Sequence, residues 1–232
     1  MTLDSLQGKV AVISGGATLI GAAVADVLVA AGARVAIFDL DPNGAEVAAR
    51  YAENGLFVAV DLTDDHALHA AVERVQQDFG TVELLINLAC SYLDDGIASS
   101  RADWLRALDI NLVSAAMLTR ALHADLKASR GAVVNFTSIS SGCAQTGRWL
   151  YPASKAAIKQ LTRSMAMDLA GDDIRVNSVS PGWTWSRVIA EVSGGDREHA
   201  DRIAADYHLL GRLGDPQEVA QVVRFLCSPA AS

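Results

Sequence analysis

Short apolar runs alternate with helix-like segments along this chain and predict an α/β fold: a doubly wound parallel sheet with helices on both faces. Two observations carry that expectation. The runs KVAVISGG, RVAIFDL, LFVAVDLTD, VELLINLAC, AVVNFTS and RVNSVSPG lack the polar alternation of a half-exposed strand. Such strands are buried on both sides, as in a parallel sheet covered by helices. The segments between them, beginning with IGAAVADVLVAAG, have helical composition and glycine stops, which makes each run and its follower a βα unit.

The elements follow in order. KVAVISGG ends in glycines and hands over to the first helix, RVAIFDL to PNGAEVAARYAENG, and LFVAVDLTD to HALHAAVERVQQDFG. VELLINLAC is the fourth strand. Residues 101–128 and 152–170 read as two long helices flanking AVVNFTS, and RVNSVSPG is a further strand. No repeat, low-complexity stretch or linker interrupts the pattern, so residues 1–232 are expected to form one domain of the Rossmann-like kind. The segment from about 183 to 211, rich in Gly, Ser and charge, is the one long irregular insertion and is expected to be a lid.

Composition narrows the function. With 51% hydrophobic residues in 232, the chain can bury a substantial core. A net charge of −8 with scattered Lys and Arg offers no basic stripe for nucleic acid or an anionic membrane, so a small-molecule partner is expected. The longest apolar runs are too short to span a bilayer and the N-terminus lacks a leader pattern. Cysteines 90, 143 and 227 form neither a disulfide framework nor a zinc motif. A cytoplasmic location is the expectation.

SGGATLIG, residues 14–21, lies where the first strand becomes the first helix, a position at which backbone N–H groups and the helix dipole hold a pyrophosphate. Asp39 ends the second strand at the spacing of a carboxylate that binds an adenosine ribose, and its charge would repel a 2′-phosphate, favouring NAD over NADP. Asp61, ending the third strand, either reaches the adenine or caps the next helix. In YPASK, Tyr151 and Lys155 stand four residues apart, on one face of a helix.

These motifs together resemble the short-chain dehydrogenase/reductase family over essentially the whole chain. The family's TGxxxGxG appears as Ser14, Gly15, Leu19 in place of the middle glycine, and Gly21; its NNAG appears as Asn87, Leu88, Ala89 and Cys90. Its catalytic Asn matches Asn111, its Ser matches Ser138 with twelve residues between it and the tyrosine, and YxxxK matches Tyr151 and Lys155. Pro181 and Gly182 match its PG turn, and LGRLGDPQEVA resembles a segment near its C-terminus. The chain stops at SPAAS, where relatives continue through another strand, so a C-terminal strand is expected to be missing.

The resemblance implies an NAD-dependent oxidoreductase that moves a hydride between a nicotinamide and a small to medium secondary alcohol or ketone. Tyr151 would be the acid/base, its phenolate favoured by the Lys155 charge; Ser138 would hold the substrate oxygen, and Asn111 a proton-relaying water. The implied cofactor contacts are Ser14, Gly15, Ile20 and Gly21 in the first turn, Asp39 and Leu40, Asp61 and Leu62, Asn87 and Ala89, then Tyr151, Lys155, Pro181, Gly182, Thr184 and Ser186. Gln145, Trp149 and Trp183 are expected to line the substrate pocket, with Tyr207 and His208 nearby; aromatic walls suit a ring-bearing substrate. Arg148 is a surface residue or an anchor for an acidic substrate. His66 and His69, three apart on a helix, lack a third ligand, and no metal is expected. Ile158, Leu161, Met165 and Leu169 read as core or subunit interface, and relatives imply a homotetramer or homodimer. Two further readings are a 3-oxoacyl-carrier-protein reductase, which usually takes NADPH, and a dinucleotide-binding regulator without turnover, which Leu19 and Leu88 would favour.

Overall fold

The protein's structure, a computed structural model, describes residues 5–232. Six parallel strands, β1 (Val10–Ser14), β2 (Arg34–Asp39), β3 (Gly55–Ala59), β4 (Leu84–Asn87), β5 (Ala132–Phe136) and β6 (Arg175–Val179), form one sheet in the order β3-β2-β1-β4-β5-β6. Each matches an apolar run of the sequence. Alternate side chains of the strands enter two cores. Ala11, Ile13, Val35, Ile37, Leu84, Ile86 and Val134 join one, whereas Val10, Val12, Ala36, Phe38, Leu85 and Val133 join the other.

Helices α1 (Leu19–Ala30) and α2 (Asn43–Ala49) cover the first of these faces, and α3 (Asp65–Phe79) covers the second. The expected long helix at 101–128 is three segments, α4 (Arg101–Leu108), α5 (Ser114–Ala121) and α6 (His123–Ser129), with a wider helical turn over Asp109–Val113. The Ser114 hydroxyl donates to the Asp109 carbonyl at 2.9 Å across that turn. Such single-turn widenings recur at functional sites, and Asn111 sits inside this one. Helix α7 (Leu150–Leu169) runs as predicted, with Ile158 in the interior and Met165 and Leu169 packed on the second core.

The insertion at 183–211 is not irregular throughout. It contains α8 (Arg187–Val192) and α9 (Arg197–Ala204), each begun by a side-chain cap, Ser186 and Asp196. Helices of six and eight residues span too few turns for an apolar period to stand out from the Gly, Ser and charged residues around them. The last helix, α10 (Pro216–Cys227), packs on α1 through Val219, Ala220 and Val223. β6 is one edge of the sheet and the last strand among the described residues. The Arg175 guanidinium clasps the segment after α10 by donating to the carbonyls of Leu226, Ser228 and Ala231. Among the described residues no helix is long and apolar enough to cross a membrane.

The sheet's order reverses between β1 and β4, the place where open α/β sheets hold ligands outside the carboxyl ends of the strands. Ser14, Phe38, Asn87 and Asn135 lie in register along that rim. Gly15 adopts φ +74°, and a Cβ there would sit 2.8 Å from the Ala89 backbone; a Cβ on Gly21 would sit 2.4 Å from the Gly15 carbonyl oxygen. Both neighbours are backbone and cannot rotate away. Gly21→Ala should therefore destabilise the fold by about 1–3 kcal/mol, read as a lower urea midpoint with an unchanged m-value; an unchanged midpoint would mean the turn has room to relax.

Candidate active site

A cavity of about 260 Å³ opens at the rim between β4, β5 and the 183–211 segment. Strand β5 leads into Ser138, α7 presents Tyr151 and Lys155, and the turn after β6 supplies Pro181, Gly182, Trp183 and Thr184. The first helix contributes Ile20, and the loop after β4 contributes Leu88, Cys90 and Tyr92. Ser138, from the end of β5, and Tyr151 and Lys155, one turn apart on α7, thus face one space.

Helix α7 is aimed by a contact that no local motif announces. The Asp94 carboxylate, on the loop after β4, accepts from the backbone N–H groups of Tyr151 at 2.7 Å, Trp149 at 3.0 Å and Gly96 at 3.1 Å. The carboxylate thus serves as a cap for the helix that carries the phenol. Burial pushes the Asp94 pKa up, but the backbone donors, Tyr151 first, outweigh it and leave the carboxyl below its usual range. Asn111 secures the same loop from below. Its side chain accepts from Ser91 N–H at 2.6 Å and donates to the Ser91 carbonyl at 3.0 Å and to Ser154 Oγ at 3.0 Å. Sequence reasoning missed Asp94 and Tyr92; the one signal for Asp94 is its position on the loop beside the α7 start, which only the fold reveals.

The electrostatics differ from the sequence expectation. Lys155 is buried and donates to the Phe136 carbonyl at 3.0 Å, with its ammonium 5.7 Å from the centre of the Tyr151 ring. Burial pushes the Tyr151 phenol up to about 12, the nearby Cys90 thiol adds to the rise, and hydrogen bonding from Ser138 and Tyr92 opposes it. The phenol is protonated at neutral pH in this arrangement, and Lys155 is not the group that lowers it. Cys90 is raised by burial in its turn, against the pull of Lys155, and stays a neutral thiol. The Tyr92 ring stacks on Tyr151, with centroids 5.1 Å apart and planes 21° from parallel.

The groups at the rim suit a dinucleotide. The first-turn N–H groups of α1 lack intrahelical acceptors, and Thr18 caps that helix by accepting from Gly21 N–H at 3.0 Å. The Asp39 carboxylate accepts from Ala17 N–H and Asp41 N–H, each at 3.0 Å, which occupies two of its roughly four lone-pair positions and leaves the others for hydroxyls. Leu19, standing where the family's middle glycine belongs, is 45% exposed and does not line the cavity. Thr184 and Ser186 line the cavity with Lys155.

Other expected contacts fall elsewhere. Ser14 Oγ accepts from Leu88 and Ala89 N–H and ties β1 to the end of β4 instead of facing the rim. Asn87 is buried and donates to Asn135 at 2.9 Å, which donates to Thr162 at 3.0 Å, a polar thread from β4 to α7. Asp61 does not cap α3; Asp64 does, and Asp61 accepts from Thr63 in a local turn. Leu40 is exposed, and Leu62 packs beside the second core. Trp149 is 53% exposed at the start of α7 and outside the cavity, because the Asp94 cap holds its backbone at the surface. Tyr207 and His208 lie against the outer side of Trp183, at 5.0 and 5.8 Å between ring centres, and do not line the cavity. His66 and His69 are exposed on α3, and no cluster able to hold a metal occurs among the described residues.

With this geometry the comparisons agree. A family profile described as enoyl-(acyl carrier protein) reductase matches residues 15–232. The cis-4-hydroxycyclohexanecarboxylate dehydrogenase of Sinomonas cyclohexanicum is 35% identical, over 99% of this chain and 93% of its own. The chain belongs to the short-chain dehydrogenase/reductase family. The 3-oxoacyl-(acyl-carrier-protein) reductase FabG of Vibrio cholerae is 31% identical over 98% of this chain and 93% of its own. The crystal structure of gox2181 superposes with a TM-score of 0.87 at 31% identity, covering 99% of this chain and 92% of that one. The dehydrogenase/reductase family uses nicotinamide cofactors, and its members act on CH–OH or ketone groups; this chain is such an oxidoreductase.

The Asp94 cap carries a pH signature. A carboxyl whose folded pKa is depressed stabilises the protein above its unfolded pKa and loses that contribution as pH falls through the folded value. Asp94→Ala should cost about 1–2 kcal/mol at pH 7, and the gap in melting temperature to the wild type should close on acidification below the ordinary carboxyl pKa of 3.8. A gap that stays constant from pH 7 to pH 3 would show that the charge is not what holds the helix.

Proposed function

We propose that the protein is an NAD-dependent oxidoreductase for small to medium secondary alcohols and ketones, with Tyr151 as the acid/base. The observation that supports it most strongly is the convergence of Ser138, Tyr151 and Lys155 on one cavity. A bound nicotinamide would accept or supply the hydride. Ser138 would donate to the substrate oxygen and stabilise charge growing there. Tyr151 would take the alcohol proton during oxidation or give one to the alkoxide during reduction. Lys155, held by the Phe136 carbonyl, would meet the nicotinamide ribose, and Asn111 would keep the loop bearing Cys90 and Tyr92 in place.

Asp39 supports the preference for NAD. Its free lone pairs suit two ribose hydroxyls, and a 2′-phosphate would meet a carboxylate already fixed by two backbone donors. The 183–211 segment is proposed to act as a lid, since Arg187 of α8 reaches across to the Asp41 carboxylate at 3.1 Å, beside Asp39. The relative that acts on a hydroxycyclohexanecarboxylate, the 260 Å³ volume and the walls made by Tyr92, Phe136 and Trp183 favour a compact ring-bearing substrate.

Tyr151→Phe should reduce turnover of cyclohexanol and cyclohexanone by about 10²–10⁴-fold, with NAD binding in a thermal-shift titration kept within about twofold; substantial activity in that variant would identify another base. Asp39→Ser should narrow the ratio of NAD to NADP use, and equal use by the wild type would remove this assignment. Because the phenol sits near 12, its basic form grows with pH. Alcohol oxidation should climb through the alkaline range while ketone reduction stays level to lower pH; parallel profiles in the two directions would contradict a titrating Tyr151.

A further inference from the structure

The charges that line the cavity run against those of the chain. The protein has 27 acidic and 19 basic residues, yet among the described residues Arg148 and Lys155 are the only charged side chains that line the cavity, and no Asp or Glu lines it. Lys155 donates to the Phe136 carbonyl at 3.0 Å and is assigned above to the nicotinamide ribose. Arg148 has no carboxylate partner among the described residues.

An exposed arginine without a partner is usually just solvated. What sets Arg148 apart is the turn that carries it. Gln145 and Arg148 face each other across an isolated antiparallel bridge, closed by Arg148 N–H donating to the Gln145 carbonyl at 3.2 Å and by Gly147 at φ +72°. Residues opposed in an antiparallel pair send their side chains to the same side, and both of these line the cavity. The Gln145 amide oxygen accepts from Ser140 Oγ at 3.1 Å, and Ser140 Oγ accepts from Ser138 Oγ at 3.1 Å. That chain fixes the amide by its acceptor end and leaves its N–H₂ as donors.

We infer that Gln145 and Arg148 form an anion receptor that selects a hydroxy- or oxocarboxylate as substrate, with the carboxylate on the Arg148 fork and the Gln145 amide, and the carbinol carbon at Ser138 and Tyr151. The inference rests on the oxidoreductase reading above and deepens it. A guanidinium fork bonds a carboxylate through two parallel N–H···O contacts, and one cation with one neutral amide balances a single negative charge. The carboxylate and the carbinol carbon are set apart by the reach of the Ser138–Ser140–Gln145 chain. Apolar walls from Leu88, Tyr92, Phe136 and Val188 fit a ring or short chain between the two groups.

The test compares the wild type with Arg148→Gln, Arg148→Lys and Gln145→Leu, after confirming equal melting temperatures. In steady state with NAD, 4-hydroxycyclohexanecarboxylate should be preferred over its carboxamide by at least about tenfold in kcat/KM. Arg148→Gln should lower kcat/KM for the acid by about 10–100-fold, mainly through KM, and leave the amide within about threefold; Arg148→Lys should keep part of the preference. Calorimetric titration with unreactive cyclohexanecarboxylate, against cyclohexanecarboxamide as the neutral control, reads the receptor without turnover. Weakening of the acid alone by at least about tenfold in Arg148→Gln is the expected result. Equal binding of the acid to wild type and variant, or equal losses for acid and amide, overturns the receptor even if cyclohexanol is oxidised. Charge-selective binding without oxidation of any alcohol would uphold the receptor and sink the oxidoreductase reading instead.

Discussion

A parallel sheet buried on both faces has to end all its strands at one rim, and everything chemical in this protein depends on that constraint. Because β1 and β4 pair in parallel and the order turns outward on either side of them, the loops after β1, β2, β4, β5 and β6 emerge on the same side of the sheet. The glycine turn, Asp39, the Cys90–Tyr92 loop, Ser138 and Pro181 are therefore neighbours without sharing any stretch of sequence. The two cores make the arrangement rigid. Side chains of each strand alternate between them, so slipping one strand by a single residue would exchange every core side chain for one sized to the opposite face.

Between that scaffold and the cavity lies a set of polar contacts that places the reacting groups. Ser14 ties the ends of β1 and β4 together, Asn87, Asn135 and Thr162 link β4 through β5 to α7, and Asp94 with Asn111 joins the β4 loop to the start of α7 and the widened turn. Each of these residues makes at least one hydrogen bond to backbone or to another fixed side chain, while the buried Asn87 Oδ1 has no partner among the described residues. Breaking one of these contacts would leave its buried partner unpaired at a cost of about 1–3 kcal/mol, so the contacts hold the loop at one distance from Tyr151. The stacking of Tyr92 on Tyr151 follows from that distance.

The sequence made the sheet and the reacting trio legible because their signals are local or regularly spaced. Six unalternated apolar runs mark six strands, and i to i+4 spacing puts Tyr151 and Lys155 on one face of α7. What could not be read depends on long-range partners. Asp94 reaches Tyr151 across 57 positions, and nothing in LDDG distinguishes a cap for a distant helix from an ordinary loop acid. Ser14 and Asn87 occupy family motif positions, yet their side chains bond neighbouring strands, because the rim is crowded enough to claim them. Trp149 looks like a pocket residue from its place next to Tyr151, but its neighbours in the turn put Arg148 on the cavity and Trp149 on the surface. The break at Asp109–Val113 escaped notice because the apolar spacing of residues 101–128 barely changes across a one-residue widening.

The place of Lys155 shows how the site's charge is managed. The Lys155 ammonium donates to the Phe136 carbonyl and lies 5.7 Å from the centre of the Tyr151 ring, and burial outweighs its attraction for a phenolate there. Burial therefore governs Tyr151 and keeps its proton on. A protonated phenol flanked by Ser138 can give a hydrogen bond to a carbonyl oxygen, so the resting arrangement is already complementary to a ketone. For an alcohol, the proton has to leave the phenol first, and the cost of doing so falls as positive charge enters the cavity. An oxidised nicotinamide carries such a charge and a reduced one does not. In the proposed chemistry the oxidation state of the cofactor would set which protonation state of Tyr151 is favoured, matching base to alcohol and acid to ketone without any other group in the cavity having to titrate.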